Sequence, residues 1–188
     1  ISFYNALHEK RDDIVYEREH LYKYFEDFAA RDTQKLRSQQ LIDKDIETER
    51  KFEDVTDYIF EKLLGHKPLK LVGTNHADGV LSYKDKVIFW DNKSKESPVN
   101  LKDHIKQFDM YIRQSEKAVG GFLVLGPDFT PESSLLAMQY QVENGTMITM
   151  ITASEFKDLA ERWKNKKQQG AFPLGYLLQP GRFNPSLV

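Results

Sequence analysis

The first third of the chain combines dense charge with apolar residues at helical spacing. Neither glycine nor proline occurs before Gly65. We therefore predict helices as far as about Leu64, with a break between Ala30 and Asp45 and with Asp43 or Asp45 as an N-cap. Gly65 is placed to end the last of these helices. That helix has a regular apolar stripe, formed by Phe52, Val55, Ile59 and Leu63.

After Pro68 the pattern changes to short apolar runs separated by turn residues and helical segments. Helical spacing returns after Asn100, after Pro131 and after Ser154, which we predict to be an N-cap. The tail from Ala171 is punctuated by glycine and proline, so little regular structure is expected there. The predicted strands are LKLVG (69–73), GVLSY (79–83), KVIFWD (86–91), GGFLVLG (120–126) and TMITMIT (146–152).

Strands that alternate with helices predict an α/β fold in which a mixed sheet lies between two helical layers, an α/β/α arrangement. A length of 188 residues allows one domain with an appended helical segment. We place the segment at residues 1–49 and the domain at 50–188. Because the chain begins at Ile1, we expect it to be part of a longer protein.

Composition narrows the function classes. The chain has no cysteine, which excludes disulfides, thiolate zinc sites and cysteine nucleophiles and fits a reducing cytosol. No apolar run approaches the roughly 20 residues that span a bilayer, so no membrane partner is expected. The net charge of −2 does not favour nucleic-acid binding, because neutralisation of the phosphates calls for an excess of basic residues.

Three residues point to a specific chemistry. Asp78 opens one strand of a predicted hairpin, Asp91 closes the other, and Lys93 follows two residues later, on the same face of an extended chain. Two carboxylates and an ammonium group then converge. Carboxylate oxygens bind Mg²⁺, and the main-chain carbonyl of Asn92 is a further candidate ligand. A metal-bound water beside a lysine is suited to hydrolysis of a phosphodiester.

A simpler interpretation of the same residues exists. Asp78-Gly79 is a common turn dipeptide, and Asp91-Asn92-Lys93 could be an ordinary polar loop at the end of a strand. Short motifs of this kind also occur by chance.

The surroundings of the motif favour the chemical interpretation. GTNHADGVL, VIFWDNKS and the following Asn-Leu pair resemble the catalytic core of FokI-type (type IIS) restriction endonucleases, which belong to the PD-(D/E)xK nuclease superfamily. Ala77 stands where the signature usually has proline. The resemblance runs from about Arg50 to the C-terminus. Its matching residues are Glu53, Gly73, Asp78-Gly79, Asp91-Asn92-Lys93, Asn100-Leu101, Gln107 and Tyr111.

The resemblance implies a restriction-endonuclease-like core and a Mg²⁺-dependent endonuclease, in which Mn²⁺ would substitute for Mg²⁺. The expected substrate is double-stranded DNA. The expected partners are a separate recognition domain or subunit and, on DNA, a second copy in a transient homodimer. The expected location is the cytoplasm of a prokaryote. Residues 1–49 would then be the interface to the recognition domain, or a lid over the active site.

Further residues are weaker candidates. Glu53 is either an additional catalytic carboxylate or an acid favoured by the helix N-terminus. Lys95, Gln107, Asn75 and His76 are candidate DNA contacts, although exposed loop residues of these types often have no such role. Two other functions stay open: another PD-(D/E)xK nuclease, acting in repair, as a resolvase or at transposon ends, and a catalytically silent DNA-binding or assembly module.

Overall fold

The computed structural model describes residues 17–73, 75–166 and 170–188. The predicted helical positions within residues 1–16 therefore lie outside the described residues. Residues 17–22 are helical. The other α-helices of the described residues are α1 Phe25–Ala29, α2 Thr33–Ser38, α3 Glu47–Tyr58, α4 Ile105–Gln114, α5 Ser133–Asn144 and α6 Ala153–Asn165. A π-helical turn, Ile59–Leu63, continues α3, and short 3₁₀ turns occur at Leu101–Asp103, Leu174–Leu177 and Pro185–Leu187.

Five strands form one mixed sheet in the order β1-β2-β3-β4-β5. The hairpin strands β1 and β2 are antiparallel, whereas β2, β3, β4 and β5 follow one another in parallel. Parallel neighbours require crossover connections, and helices supply these after β2 and β3. The strands are β1 Gly79–Tyr83, β2 Lys86–Asn92, β3 Val119–Gly126, β4 Ile148–Thr152 and β5 Gly181–Arg182.

Alternate side chains of the central strands enter two separate hydrophobic cores, which produces the three predicted layers. On one face, strand residues such as Trp90 and Leu123 pack with α1, α3 and α6. On the other face, Phe89 and Phe122 pack with α4 and α5. Burial on both faces explains why β3 is almost continuously apolar. The α/β/α prediction is confirmed.

The described part of the predicted N-terminal segment belongs to the first core. The ring centroid of Phe25 lies 5.2 Å from that of Phe52 and 6.3 Å from that of Phe156. Phe25 and Phe28 are fully buried. The hydrophobic core therefore continues across residue 50, and the domain boundary proposed there stays a prediction.

One predicted strand is absent from the described residues, and one short strand was not predicted. Residues 69–73 do not form a strand: Leu69 donates one backbone hydrogen bond to the Val80 carbonyl, and Val72 is 89% exposed. These apolar residues therefore lack the buried face that would hold them in the sheet. Conversely, the tail contributes β5, whose Gly181 and Arg182 pair with Thr149 and Met150 of β4.

Helix starts also differ from the prediction. Thr152, rather than Ser154, caps α6, in a reciprocal capping box with Glu155. Neither Asp43 nor Asp45 caps α3, whose N-cap is Ile46 without a side-chain hydrogen bond. The Glu47 carboxylate accepts the backbone N–H groups of Asp43 and Lys44. No helix within the described ranges has the length and apolar character needed to cross a membrane.

Candidate active site

The β1–β2 hairpin brings Asp78 and Asp91 together. Gly79 pairs with Trp90 across the antiparallel ladder, so the residues just beyond this pair, Asp78 and Asp91, lie opposite each other. Asp91 also pairs with Val124 in the parallel neighbour β3, which holds it inside the sheet rather than at an edge. Its side chain is almost completely buried.

A glycine beside Asp78 allows the indole ring of Trp90 to lie across β1. A Cβ atom at Gly79 would come within 1.9 Å of the Trp90 ring, a distance that no side chain tolerates. The ring is fully buried and packs on Phe60, with the centroids 4.8 Å apart. Gly79 is therefore part of the core packing of the hairpin.

Lys93 lies immediately beyond β2, where its backbone N–H donates to the Leu125 carbonyl at 2.7 Å. Its ammonium nitrogen is 2.5 Å from Oδ2 of Asp91 and 5.5 Å from the centroid of the Phe108 ring. The side chain is 21% exposed, so the ammonium group sits at the mouth of the site. Asp91 and Lys93 share one face, as expected for positions two apart in an extended chain.

Most of the predicted site residues line one polar cavity. Glu53 reaches it from α3, Gln107 reaches it from α4, and Lys95 lies on the loop after β2. Asn75 and His76 line a neighbouring cleft instead, and Tyr111 is common to the two. The predicted residues in the cavity are Glu53, Asp78, Asp91, Asn92, Lys93, Lys95 and Gln107.

Acidic side chains outnumber basic side chains in the cavity. Burial and the carboxylates of Asp91 and Glu53 raise the pKa of Asp78 to about 8, opposed by a hydrogen bond from Asn92. Burial and Asp91 likewise raise the pKa of Glu53 to about 7. Burial raises the pKa of Asp91, although Lys93 partly offsets the effect. Clusters of perturbed acids in a cleft are typical of functional sites.

The donor set fits a hard divalent cation. Within the described residues, no three acidic or histidine side chains are grouped closely enough to enclose a metal ion. Mg²⁺ does not need such a group, because it is usually bound through one or two carboxylates, with water and substrate phosphate completing its shell. Asp91 Oδ2 is buried and has no well-oriented hydrogen-bond donor among the described residues, despite its ion pair with Lys93. Two neighbouring carboxylates, Asp78 and Asp91, beside the ammonium group of Lys93 are suited to a further cation.

Several residues of the cavity were not selected from the sequence. His104 is half-buried and stacks on Phe108, with the centroids 6.0 Å apart. Burial, followed by the charge of Lys93, lowers the pKa of His104. In the sequence His104 stands one helical turn before Phe108, but that spacing does not show that His104 lies near Lys93. Ser94 and Asp103 were also missed. Glu49, a less likely substitute for Glu53, and Tyr111, one of the residues that carry the resemblance, complete the lining.

The N-terminal helices hold the loop that follows Lys93. The Ser94 hydroxyl donates to the Phe28 carbonyl at 2.6 Å, and the Lys95 backbone N–H donates to the Ala29 carbonyl at 2.9 Å. Both acceptors lie at the C-terminal end of α1, where carbonyl groups lack partners within the helix. These two hydrogen bonds pair carbonyl groups at the C-terminal end of α1, and they also fix the loop beside the candidate site.

A five-stranded mixed sheet between helical layers, with carboxylates at the end of its hairpin, defines a restriction-endonuclease-like fold. Two solved structures of the restriction endonuclease FokI, one of them bound to DNA, are similar to this chain, each with a TM-score of 0.61 and 15% identity. Each match covers 73% of this chain but only 29% or 28% of the FokI chain. No protein-family model and no curated protein sequence matches the chain. The fold is therefore FokI-like, and this chain spans less than a third of the FokI length.

Proposed function

We propose that this chain is a Mg²⁺-dependent endonuclease that hydrolyses phosphodiester bonds of double-stranded DNA. The observation that supports this most directly is the meeting of Asp78, Asp91 and Lys93 in one polar cavity at the end of the β1–β2 hairpin. A FokI-like fold around that cavity agrees with the proposal.

Asp78 and Asp91 would bind the metal, together with the main-chain carbonyl of Asn92. When bound, Mg²⁺, or Mn²⁺ in its place, would lower the pKa of a coordinated water and stabilise negative charge on the scissile phosphate. The Lys93 ammonium group already faces the buried Oδ2 of Asp91, and a bound metal ion would add a second positive charge near this carboxylate. Positive charges there would favour the ionised form of Asp91, whose pKa burial raises.

Lys93 would act on the attacking water. Its ammonium group contacts Asp91 and the Phe108 ring, and these contacts hold a hydrogen-bond donor in a fixed position beside the carboxylates. There it would orient the nucleophile and stabilise developing charge on phosphate oxygens. Glu53 is the third carboxylate of the cavity, and with a pKa of about 7 it would accept or hold a proton near neutral pH.

DNA contacts are proposed on two sides of the carboxylates. Lys95 and Gln107 would contact the backbone at the cavity, whereas Asn75 and His76 would contact it from the neighbouring cleft. The net charge of −2 predicts weak binding by this chain alone. Stable association with DNA would therefore depend on another part of the protein.

The biological role that agrees with these features is the cleavage domain of a type IIS-like restriction endonuclease in a prokaryotic cytoplasm. A separate domain or subunit would recognise the DNA sequence, and a second copy, in a transient homodimer, would cut the other strand. The products would be 5′-phosphate and 3′-hydroxyl ends. Residues 1–49 would form the interface to the recognition domain; a lid role would require the buried Phe25 and Phe28 to leave the core.

Plasmid cleavage tests the proposal. Wild type and Asp91→Ala are incubated at high protein concentration with supercoiled plasmid and Mg²⁺ or Mn²⁺, with EDTA as a control and circular dichroism to verify folding. Nicking or linear DNA that appears only for the wild type with metal is the expected result. DNA binding without cleavage in either metal would favour a silent DNA-binding module, and cleavage by Asp91→Ala would contradict the proposed site.

A further inference from the structure

Asn92 occupies the middle of the Asp91-Asn92-Lys93 motif, but its side chain points away from the other two. Trp90 donates its indole N–H to Oδ1 of Asn92 at 3.1 Å, and Nδ2 of Asn92 donates to the Thr56 hydroxyl at 2.7 Å. All three residues are buried. The side chain of Asn92 is therefore fixed on both of its polar atoms inside the first core.

Thr56 connects this group to α3. Its hydroxyl donates to the Phe52 carbonyl at 2.9 Å while accepting from Asn92, so it uses its proton and a lone pair at the same time. Glu53 lies one turn before Thr56 on the same helix and lines the cavity. The hydrogen bonds thus join the helix that carries Glu53 to the strand that carries Asp91.

The backbone of Asn92 completes the connection. Its N–H donates to Oδ2 of Asp78 at 2.6 Å. Asn92 therefore contacts the Asp78 carboxylate through its main chain and α3 through its side chain, while peptide bonds join it to Asp91 and Lys93. Among the lining residues described above, Asn92 alone hydrogen-bonds both to α3 and to the Asp78 carboxylate.

We propose that Asn92 is a positioning residue, which together with Thr56 and Trp90 sets the distance of Glu53 on α3 from Asp78, Asp91 and Lys93. The role rests on the proposed endonuclease function. Reacting groups must be held closely, since a displacement of about 1 Å can reduce a rate by about 100-fold. Buried hydrogen bonds suit this task because water does not compete for their partners.

Thr56→Val tests the role, since it keeps the shape of Thr56 and removes the hydroxyl. Thr48 offers a matched control on the same helix: it is also fully buried, but its hydroxyl has no hydrogen-bond partner among the described residues. Thr48→Val receives the same treatment, and Thr56→Ser restores the hydroxyl. The Asn92 side-chain amide signals are followed by NMR without metal, and kcat and KM are measured on plasmid DNA with Mn²⁺.

We expect Thr56→Val to shift the Asn92 amide signals and to lower kcat by at least about 10-fold with KM within about 3-fold. Thr48→Val is expected to leave the signals and kcat at the wild-type values, and Thr56→Ser to retain most of kcat. Unchanged kcat in a folded Thr56→Val protein would overturn the proposal, as would an equal loss in Thr56→Ser. A wild type without metal-dependent cleavage would contradict the proposed function instead; unshifted Asn92 signals would then still refute the hydrogen-bonded arrangement.

Discussion

The backbone N–H of Asn92 donates a 2.6 Å hydrogen bond to the side chain of Asp78, at the point where the β1–β2 ladder ends. A carboxylate thereby takes the place of a carbonyl acceptor at the ladder's end. The bond lowers the pKa of Asp78, yet burial and the neighbouring acids outweigh it and raise that pKa to about 8. Asp78 is thus held in position and disfavoured as an anion until a cation is bound.

This balance predicts that the metal-free protein loses stability as pH rises. A raised pKa in the folded state means that the folded chain keeps a proton that the unfolded chain has released. For Asp78, the extra stability is full below about pH 4 and is lost as pH rises to about 8. Unfolding by urea in EDTA is expected to show a decrease of at least about 1 kcal/mol between pH 5 and pH 8.

Asp78→Asn should flatten this dependence, because asparagine cannot ionise and so lacks the charge that burial, Asp91 and Glu53 disfavour. Asp85→Asn, in the exposed turn at the far end of the hairpin, is the matched control and should keep the wild-type slope. If the unfolding free energy of Asp78→Asn has the same slope against pH as that of the wild type, the carboxyl group responsible for the pH dependence is not Asp78.

Loss of the Lys93 charge should affect cleavage more than metal binding. Lys93→Met keeps a long apolar stem on the Phe108 ring but removes the ammonium group next to Asp91. We expect cleavage to fall by about 100-fold or more, as is usual when a proton-transfer group is removed. Mn²⁺ binding at pH 8.5, measured by calorimetry, should stay within a few-fold. Cleavage within 3-fold of wild type would exclude Lys93 from the chemistry.

The sequence was sufficient for the parts of the site that depend on local geometry. Strand patterns and a short turn are local properties, and they correctly predicted the hairpin, whose second strand runs one residue beyond the predicted 86–91. The expected meeting of Asp78 and Asp91 follows from that hairpin alone. The assignment of catalytic roles to these residues stays a prediction.

Contacts between distant segments could not be read from the pattern. Ser94 bonds to Phe28, 66 residues away, and Asn92 bonds to Thr56, 36 residues away. Such pairings leave no periodic pattern in the sequence. The hydrogen bond of the Asn92 side chain to α3 and the attachment of the loop to α1 were therefore not predicted. Strand β5 has two residues between Pro180 and Pro185, too few for an alternating pattern to show.

Gly79 should be intolerant of a side chain. A Cβ atom there would lie 1.9 Å from the Trp90 ring, which is fully buried and cannot move without displacing Phe60. We expect Gly79→Ala to lower the free energy of unfolding by about 3 kcal/mol in urea titrations. Gly120→Ala, in β3, is the control: its Cβ would meet the half-buried Tyr83 at 3.2 Å, and its cost should stay near 1 kcal/mol. Equal losses of unfolding free energy in the two variants would mean that the contact with Trp90 does not determine the cost of a side chain at Gly79.

Lys95 should contribute to DNA binding through charge alone. It lies on the loop beside the cavity, whereas Lys84 lies in the turn at the opposite end of the hairpin. Anisotropy of a labelled duplex, measured in Ca²⁺ over a range of salt concentrations, gives the slope of log K against log salt. Each phosphate contact contributes about one unit to this slope, so Lys95→Ala should reduce it by about 1, whereas Lys84→Ala should leave it unchanged. Equal slopes for the two variants would contradict a phosphate contact by Lys95 and would place the DNA away from the loop after Lys93.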